Sequence, residues 1–255
     1  MALTHHHITR SAEVRRAPVL VQDVRSEFLL AALAGAATVA VLGTLLTGSM
    51  AILSPEIAAA LVAYVAAVGL AGWSFSRSYP HDRLGLGNVA TIARLALAAA
   101  LIVPLVSLEG PTWAVFAVAV AALCLDGFDG WLARWQGLAS GFGARLDMEV
   151  DSVLALLLAM LAWAGGAAGL VVLVLGLPRY LFAGASLVLP WLRHPLPDRL
   201  SRKAVCVLQL GTLIALQAPA LPGAVALNLA VASAAALAWS FGRDVAWLWR
   251  TRHWV

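Results

Sequence analysis

The sequence predicts an all-α polytopic membrane protein with about eight transmembrane helices, and three observations predict it. Hydrophobic residues fill 62% of the 255 positions, while Asp, Glu, Lys and Arg together fill 12%, about half the charge of an ordinary soluble domain. Apolar runs recur at lengths of about 17 to 25 residues, enough to cross a bilayer. The loops between them alternate between basic and wholly free of Lys and Arg, the signature of a chain threaded through a membrane with its basic loops cytoplasmic. This composition excludes a soluble globular protein, and a mean hydropathy of +0.89 excludes disorder, which needs low hydrophobicity and high charge.

Taken in order, the spans fall approximately at 28–53, 57–75, 88–107, 112–133, 146–165, 167–190, 204–219 and 222–241. Turn chemistry breaks them at Ser54-Pro55, Gly110-Pro111, Gly165-Gly166 and between Pro219 and Gly223. Basic residues precede the first span (Arg10, Arg15, Arg16, Arg25) and follow the second (Arg77, Arg83), fourth (Arg134, Arg145), sixth (Arg193, Arg199, Arg202, Lys203) and last (Arg243, Arg250, Arg252). The intervening loops carry none, so both termini are expected in the cytoplasm with an even number of spans in an inner or plasma membrane. The same bias accounts for the net charge of +4 and the pI near 9.7 without nucleic acid as a partner.

The basic segment 1–27 runs into a span longer than a signal h-region and lacks an A-x-A cleavage site, so it reads as a retained anchor. His5, His6 and His7 read as part of a mobile tail. The closing 242–255 segment, with Trp247, Trp249 and Trp254 among arginines, reads as an interfacial belt on a cytoplasmic tail. Cys124 and Cys206 stand apart in apolar stretches and read as small apolar residues.

Some charges break the loop pattern. Arg94 lies inside the third span and Arg179 about midway along the sixth; a charge inside a span is expensive, and its default reading is functional. Asp126, Asp129, Asp147, Glu149 and Asp151 place five of the 13 acidic residues within 26 positions, at the cytoplasmic end of the fourth and fifth spans. On a helix, Asp126, Asp129, Gly130 and Ala133 share one face, as do Gly143, Asp147 and Asp151, whereas Glu149 points elsewhere. Two antiparallel helices facing each other in this way would gather four carboxylates around one cavity. Oxygen-only ligands favour Mg²⁺ or Mn²⁺, with Ca²⁺ as the alternative, and a paired-metal site suits chemistry on phosphates. The plainer alternative is a salt-bridge network of Asp126 and Asp129 with Arg134 and Arg145. A different class, a cation or proton transporter, also uses intramembrane carboxylates, but places them near the midplane and often on inverted repeats; these acids cluster at one face, and no internal repeat is found.

The run Asp126-Gly-Phe-Asp129-Gly130-Trp-Leu-Ala133-Arg134, eight residues, then Gly143-Ala-Arg-Leu-Asp147-Met-Glu-Val-Asp151 resembles the complete signature of the CDP-alcohol phosphatidyltransferase family, D-x-x-D-G-x-x-A-R followed by G-x-x-x-D-x-x-x-D. Asn88, Thr91 and Arg94 resemble the N-x-x-T-x-x-R of the family's first span, and Arg179-Tyr180 the basic residue of its fourth. Lys203 with Gln209 is similar to the G-K-x-K-T-x-x-Q of two branches, although Arg202, Val205 and Cys206 replace its glycine, second lysine and threonine. The resemblance covers 84–241 as a six-helix domain and leaves 28–83 as two extra N-terminal helices.

The resemblance implies membrane phospholipid synthesis: transfer of a phosphatidyl group from CDP-diacylglycerol to an alcohol, releasing CMP. It implies two Mg²⁺ or Mn²⁺ ions on Asp126, Asp129, Asp147 and Asp151, with Asp151 also the catalytic base. Asn88, Thr91, Asp126, Gly130, Ala133, Arg134 and Gly143 would bind CDP. Arg179, Arg199, Arg202 and Lys203 are the candidates for the acceptor, which would then be phosphorylated, such as glycerol 3-phosphate or inositol phosphate; for the last three the alternative is an ordinary positive-inside loop. The runner-up within the family is a CDP-choline or CDP-ethanolamine enzyme with diacylglycerol as acceptor. A homodimer and a cytoplasmic active site are expected by the same resemblance.

Overall fold

The computed structural model describes residues 19–48, 51, 54–108, 110–194, 196, 197 and 199–251, with side chains from residue 24 onward. His5 to His7, Arg10, Arg15, Arg16, Arg252 and Trp254 lie outside the described residues. Among those described the chain is helical without a strand. The helices are α1 (Val19–Thr47), α2 (Pro55–Ser78), α3 (Gly85–Ala100), α4 (Ile102–Val106), α5 (Trp113–Trp135), α6 (Gly141–Ala164), α7 (Leu173–Gly176), α8 (Pro178–Val188), α9 (Leu200–Ala215) and α10 (Gly223–Thr251).

The helix starts reflect local chemistry. Ser54, Thr112 and Ser140 each cap a helix, accepting from the backbone N–H of Ile57, Val115 and Gly143 at 3.4, 3.2 and 3.1 Å, which satisfies a donor that the helix itself cannot. Pro55 occupies the first turn of α2, where its missing N–H is harmless. The breaks predicted at Ser54-Pro55, Gly110-Pro111, Gly165-Gly166 and up to Gly223 coincide with helix ends. The turn between α5 and α6 aligns the two acid-bearing helices. Gly137, at φ +67°, ends α5 while Leu138 N–H bonds Ala133 O at 3.0 Å and Gly137 N–H bonds Arg134 O at 3.1 Å. This left-handed stop, which glycine adopts without strain, sends α6 back beside α5.

Among the described residues, five helices are long and apolar enough to cross a membrane: Val24–Thr47, Pro55–Ser78, Gly85–Val106 (α3 with α4), Trp113–Trp135 and Gly223–Thr251. The pair Gly169–Gly176 and Pro178–Val188, bent by 59°, makes a sixth if taken as one span. The expected count of eight is therefore not reached by length and composition. α6 has 24 residues but carries Asp147, Glu149 and Asp151, and α9 has only 16. The predicted sixth span is broken where Pro178 follows Leu177. The last helix continues through 251 instead of ending near 241.

The span of α3 and α4 is central: 67% of its apolar window is buried, against 17% for α1 and 22% for α2. Leu154, Leu158 and Leu161 of α6 pack with Leu213, Ile214, Leu216 and Leu237 in the largest buried cluster. Gln217, fully buried, donates through Nε2 to Leu158 O at 2.9 Å and Leu213 O at 3.1 Å, which satisfies its amide nitrogen, while its Oε1 has no partner. The α1–α2 hairpin lies against the centre through Val39, Ile57, Ala60 and Tyr64, packed with Leu95 and Ala99 of α3. Cys124 and Cys206 are free and exposed.

Candidate active site

The site forms where α3, α5 and α6 meet. On α3, Gly87, Asn88, Thr91 and Arg94 succeed one another at helical spacing and turn inward, since all four are buried. Gly87 allows the approach of α5: a Cβ there would lie 2.8 Å from the Asp129 carbonyl oxygen and 2.9 Å from Ala133 Cβ. Small residues at a crossing let membrane helices come this close.

That approach brings the acids of α5 and α6 onto Arg94, whose side chain is fully buried. Its Nη1 donates to Asp129 Oδ2 at 2.8 Å and to Asp147 Oδ1 at 2.5 Å; its Nη2 reaches Asp126 Oδ1 at 2.9 Å and Asp151 Oδ1. One planar guanidinium thus bridges four carboxylates from two helices, a geometry that a lysine's single ammonium does not reproduce. Its Nε has no partner.

The four carboxylates are not equivalent. Asp129 is committed at both oxygens: Oδ1 accepts from its neighbour Gly130 N–H at 2.5 Å, and Oδ2 faces Arg94 with Thr91 Oγ1 at 3.3 Å. Asp126, Asp147 and Asp151 meet Arg94 through one oxygen each. Their side chains remain 33%, 37% and 41% exposed, against 5% for Asp129. With all four ionised, Arg94 leaves three unit negative charges uncompensated. Ligand atoms of Asp126, Asp129 and Asp147 come within 4.8 Å of one another. An all-carboxylate donor set, partly exposed and carrying excess negative charge, fits a hard divalent cation such as Mg²⁺ or Mn²⁺.

Beside the acids lies a cavity of about 220 Å³, lined by Asn88, Thr91, Asp129, Gly130, Ala133, Arg134, Gly143 and Asp147, with Gly87 and the α5–α6 turn from Leu138 to Ser140. Six of the seven residues assigned to CDP line it; Asp126 does not. Its small residues leave the helix backbones accessible, and a Cβ at Gly143 would lie 2.8 Å from Asn88 Oδ1.

The plainer network expected from sequence takes another form. The partner of Asp126 and Asp129 is Arg94; Arg145 donates instead to Ser78 Oγ at 3.3 Å, and Arg134 stands exposed at the cavity's edge with Nη1 3.3 Å from where a Cβ of Gly130 would be. Arg179 sits in the first turn of α8, 35% exposed, ion-paired with Glu149, with Nη1 2.8 Å from Met148 Sδ. Glu149, pointing away from the other acids, thus has its own partner. Arg199 and Arg202 flank the buried Asp244 of α10, each at 3.6 Å, while Lys203 is exposed. None of these four basic residues lines the cavity.

Arg94 stands out in the sequence as an anomalous charge but shows no partner there, although its spacing from Gly87, seven residues or two helical turns, puts it on the cavity face. Ser140 and Leu138 in the α5–α6 turn carry no motif, and nothing in the sequence marks them as lining the site.

A family model for CDP-alcohol phosphatidyltransferases matches residues 84–241. No curated protein and no solved structure matches the chain.

Proposed function

Starting from the fact that the chain belongs to the CDP-alcohol phosphatidyltransferase family, whose members transfer substituted phosphate groups in phospholipid synthesis at membranes, we propose that it moves a phosphatidyl group from CDP-diacylglycerol to an alcohol and releases CMP. The observation that carries this reading is the small-residue cavity directly beside four carboxylates. A cytidine and its pyrophosphate need close backbone approach and a charged neighbour; this cavity offers both.

Asp126, Asp129, Asp147 and Asp151 would hold Mg²⁺ or Mn²⁺, which when bound supplies neutralisation of the pyrophosphate charge. Gly130, Ala133 and Gly143 let the nucleotide lie against α5 and α6, with Asn88 and Thr91 offering polar atoms and Arg134 a cation at the rim. Asp151 serves as general base: Arg94 engages its Oδ1, and the free Oδ2 takes the proton from the attacking hydroxyl. The hydroxyl oxygen bonds to the β-phosphorus, the bond from that phosphorus to the bridging oxygen breaks, and CMP leaves with the electron pair. The diacyl chains remain in the bilayer.

A phosphorylated alcohol is the acceptor in this reading. Arg199, Arg202 and Lys203 at the start of α9 outnumber their one carboxylate, Asp244, and Arg pairs well with phosphate oxygens. We further propose the eight-pass threading, with both termini and the site cytoplasmic, and a homodimer.

The test is CMP release by purified protein from CDP-diacylglycerol with Mg²⁺, offering glycerol 3-phosphate, inositol phosphate, serine and choline in turn. Release with a phosphorylated alcohol, lost on chelation, is the expected result. No release with any of them, but turnover of CDP-choline with diacylglycerol, refutes this reading in favour of the other branch.

A further inference from the structure

The family match begins at residue 84, yet two side chains ahead of it hold the turn that carries Asn88 into the nucleotide cavity. Tyr79, just beyond α2, donates from its hydroxyl to Arg83 O at 2.6 Å and Leu84 O at 2.8 Å, sharing one proton between them. The same hydroxyl accepts from Asn88 Nδ2 at 3.2 Å, and Asn88 Nδ2 also donates to Leu84 O at 2.6 Å. From α1, Glu27 Oε2 accepts the Leu84 N–H at 2.7 Å. The turn entering α3 is therefore held from both sides by the hairpin that precedes it.

These bonds fix which way Asn88 faces. A carbonyl oxygen only accepts, so the amide nitrogen must be the atom toward Leu84 O. Both amide protons are then engaged, and Oδ1 is turned the other way, toward Gly143 and the cavity. Tyr79 is itself clamped: its ring stacks on Phe75 at 4.6 Å and meets Phe142 of α6 edge-on at 5.7 Å. Phe75 in turn stacks on Phe28 of α1 at 4.9 Å. Burial pushes the Tyr79 phenol up, so the hydroxyl keeps its proton as a donor at neutral pH.

We propose that Glu27 on α1 and Tyr79 at the end of α2, both ahead of the family domain, are positioning residues for the nucleotide pocket: they lock the Leu84–Asn88 turn so that Asn88 Oδ1 is presented as an acceptor. Its complement on the donor is a group bearing N–H or O–H, the amine of a cytosine or a hydroxyl of the ribose. This rests on the reading that the cavity takes the CDP moiety. The accessory hairpin is then part of the donor site and does more than anchor the chain.

The experiment uses the full chain in lipid nanodiscs, with CDP in the presence of Mg²⁺ as the binding probe and CDP-diacylglycerol as substrate. Y79F, which keeps the ring and removes one hydroxyl, weakens CDP binding and raises the KM for CDP-diacylglycerol about fivefold, the worth of a typical hydrogen bond. Its kcat, its KM for the acceptor and its thermal midpoint stay near wild type. In an N88A background, Y79F has no further effect, because Tyr79 acts through Asn88. Additive losses in the double variant, or a loss of kcat and thermal midpoint at unchanged donor KM, overturn the proposal. E27A releases the same turn from its other side and gives the same selective loss if Y79F does not fold; a folded E27A with wild-type CDP affinity also overturns it. Wild-type protein that fails to bind CDP refutes the donor reading itself, and this inference with it.

Discussion

Removing the guanidinium at the centre of the four aspartates is the perturbation with the largest consequence. In R94Q the neutral amide cannot bridge the four acids, three of which sit at 2.5 to 2.9 Å from Arg94 nitrogens. With charge centres about 4 Å apart, each pair is worth about 4 kcal/mol of gross attraction at an effective dielectric of 20. Desolvation of the buried arginine offsets much of it, and three of the acids are partly exposed. The measured loss for deleting one partner of a buried pair is about 3–5 kcal/mol, out of a total stability of about 5–15 kcal/mol. For a domain of this size that corresponds to a drop of about 6 to 20 °C in the unfolding midpoint. The assay is thermal unfolding of purified protein in EDTA and in excess Mg²⁺. R94Q is expected to melt early in EDTA and to recover more on adding Mg²⁺ than wild type does, because divalent cations then supply the missing counter-charge. R94K, which keeps one positive charge and loses the planar fork, falls between. An R94Q protein that melts in EDTA within about 2 °C of wild type, less than 1 kcal/mol at this size, refutes the assignment of Arg94 as the counter-ion that holds the cluster.

The same geometry yields two further expected outcomes. D151N lowers turnover by about 10² to 10⁴, the range for loss of a general base, while CDP affinity measured by titration stays within about threefold; near-normal turnover sinks the base assignment. Gly87→Val should force α3 from α5, since even a Cβ meets the Asp129 carbonyl at 2.8 Å, and overpacking of this kind costs about 1–3 kcal/mol. Lower thermal stability together with weaker CDP binding is the expected pair of readouts, and unchanged values for both contradict the close crossing.

Much of this site is legible in one sequence because its chemistry is local. Asp126, Asp129, Gly130 and Ala133 share a face by spacing alone, and so do Gly143, Asp147 and Asp151; six of the seven residues assigned to the nucleotide line one cavity. Capping residues and glycines mark the helix ends because their signals act within a few positions. What stays hidden depends on partners distant in the chain. Arg94 and Asp151 are separated by 57 positions, and no period links them. Glu149 falls off the acidic stripe and gives no hint of Arg179, which hydropathy sets mid-span although Pro178 breaks the helix there and leaves it in a first turn. Tyr79 and Glu27 act on backbone groups of residues 83 and 84, and a backbone acceptor has no residue identity to read. The span count is met only in part, with five or six crossings by length and composition, for a related reason: hydropathy alone does not distinguish a full crossing from a 16-residue helix such as α9.

The buried arginine also has a consequence for how this protein is made. α3 emerges from the ribosome before the acids that will neutralise it, with Asp129 35 and Asp151 57 residues further along the chain. At roughly 5–20 residues per second of synthesis, Arg94 waits about 2 to 11 seconds for its partners. A lone arginine inside a span is penalised, by up to about 2.5–3.5 kcal/mol at the centre, and the acids of α5 and α6 face a like difficulty on arrival. Each segment carries its charge penalty until the three meet, although α3 with α4 and α5 are each apolar enough overall to span on their own. The acidic cluster is in this sense also an assembly contact: the pairing of Arg94 with Asp126, Asp129, Asp147 and Asp151 is complete only once α5 and α6 have followed α3 along the chain.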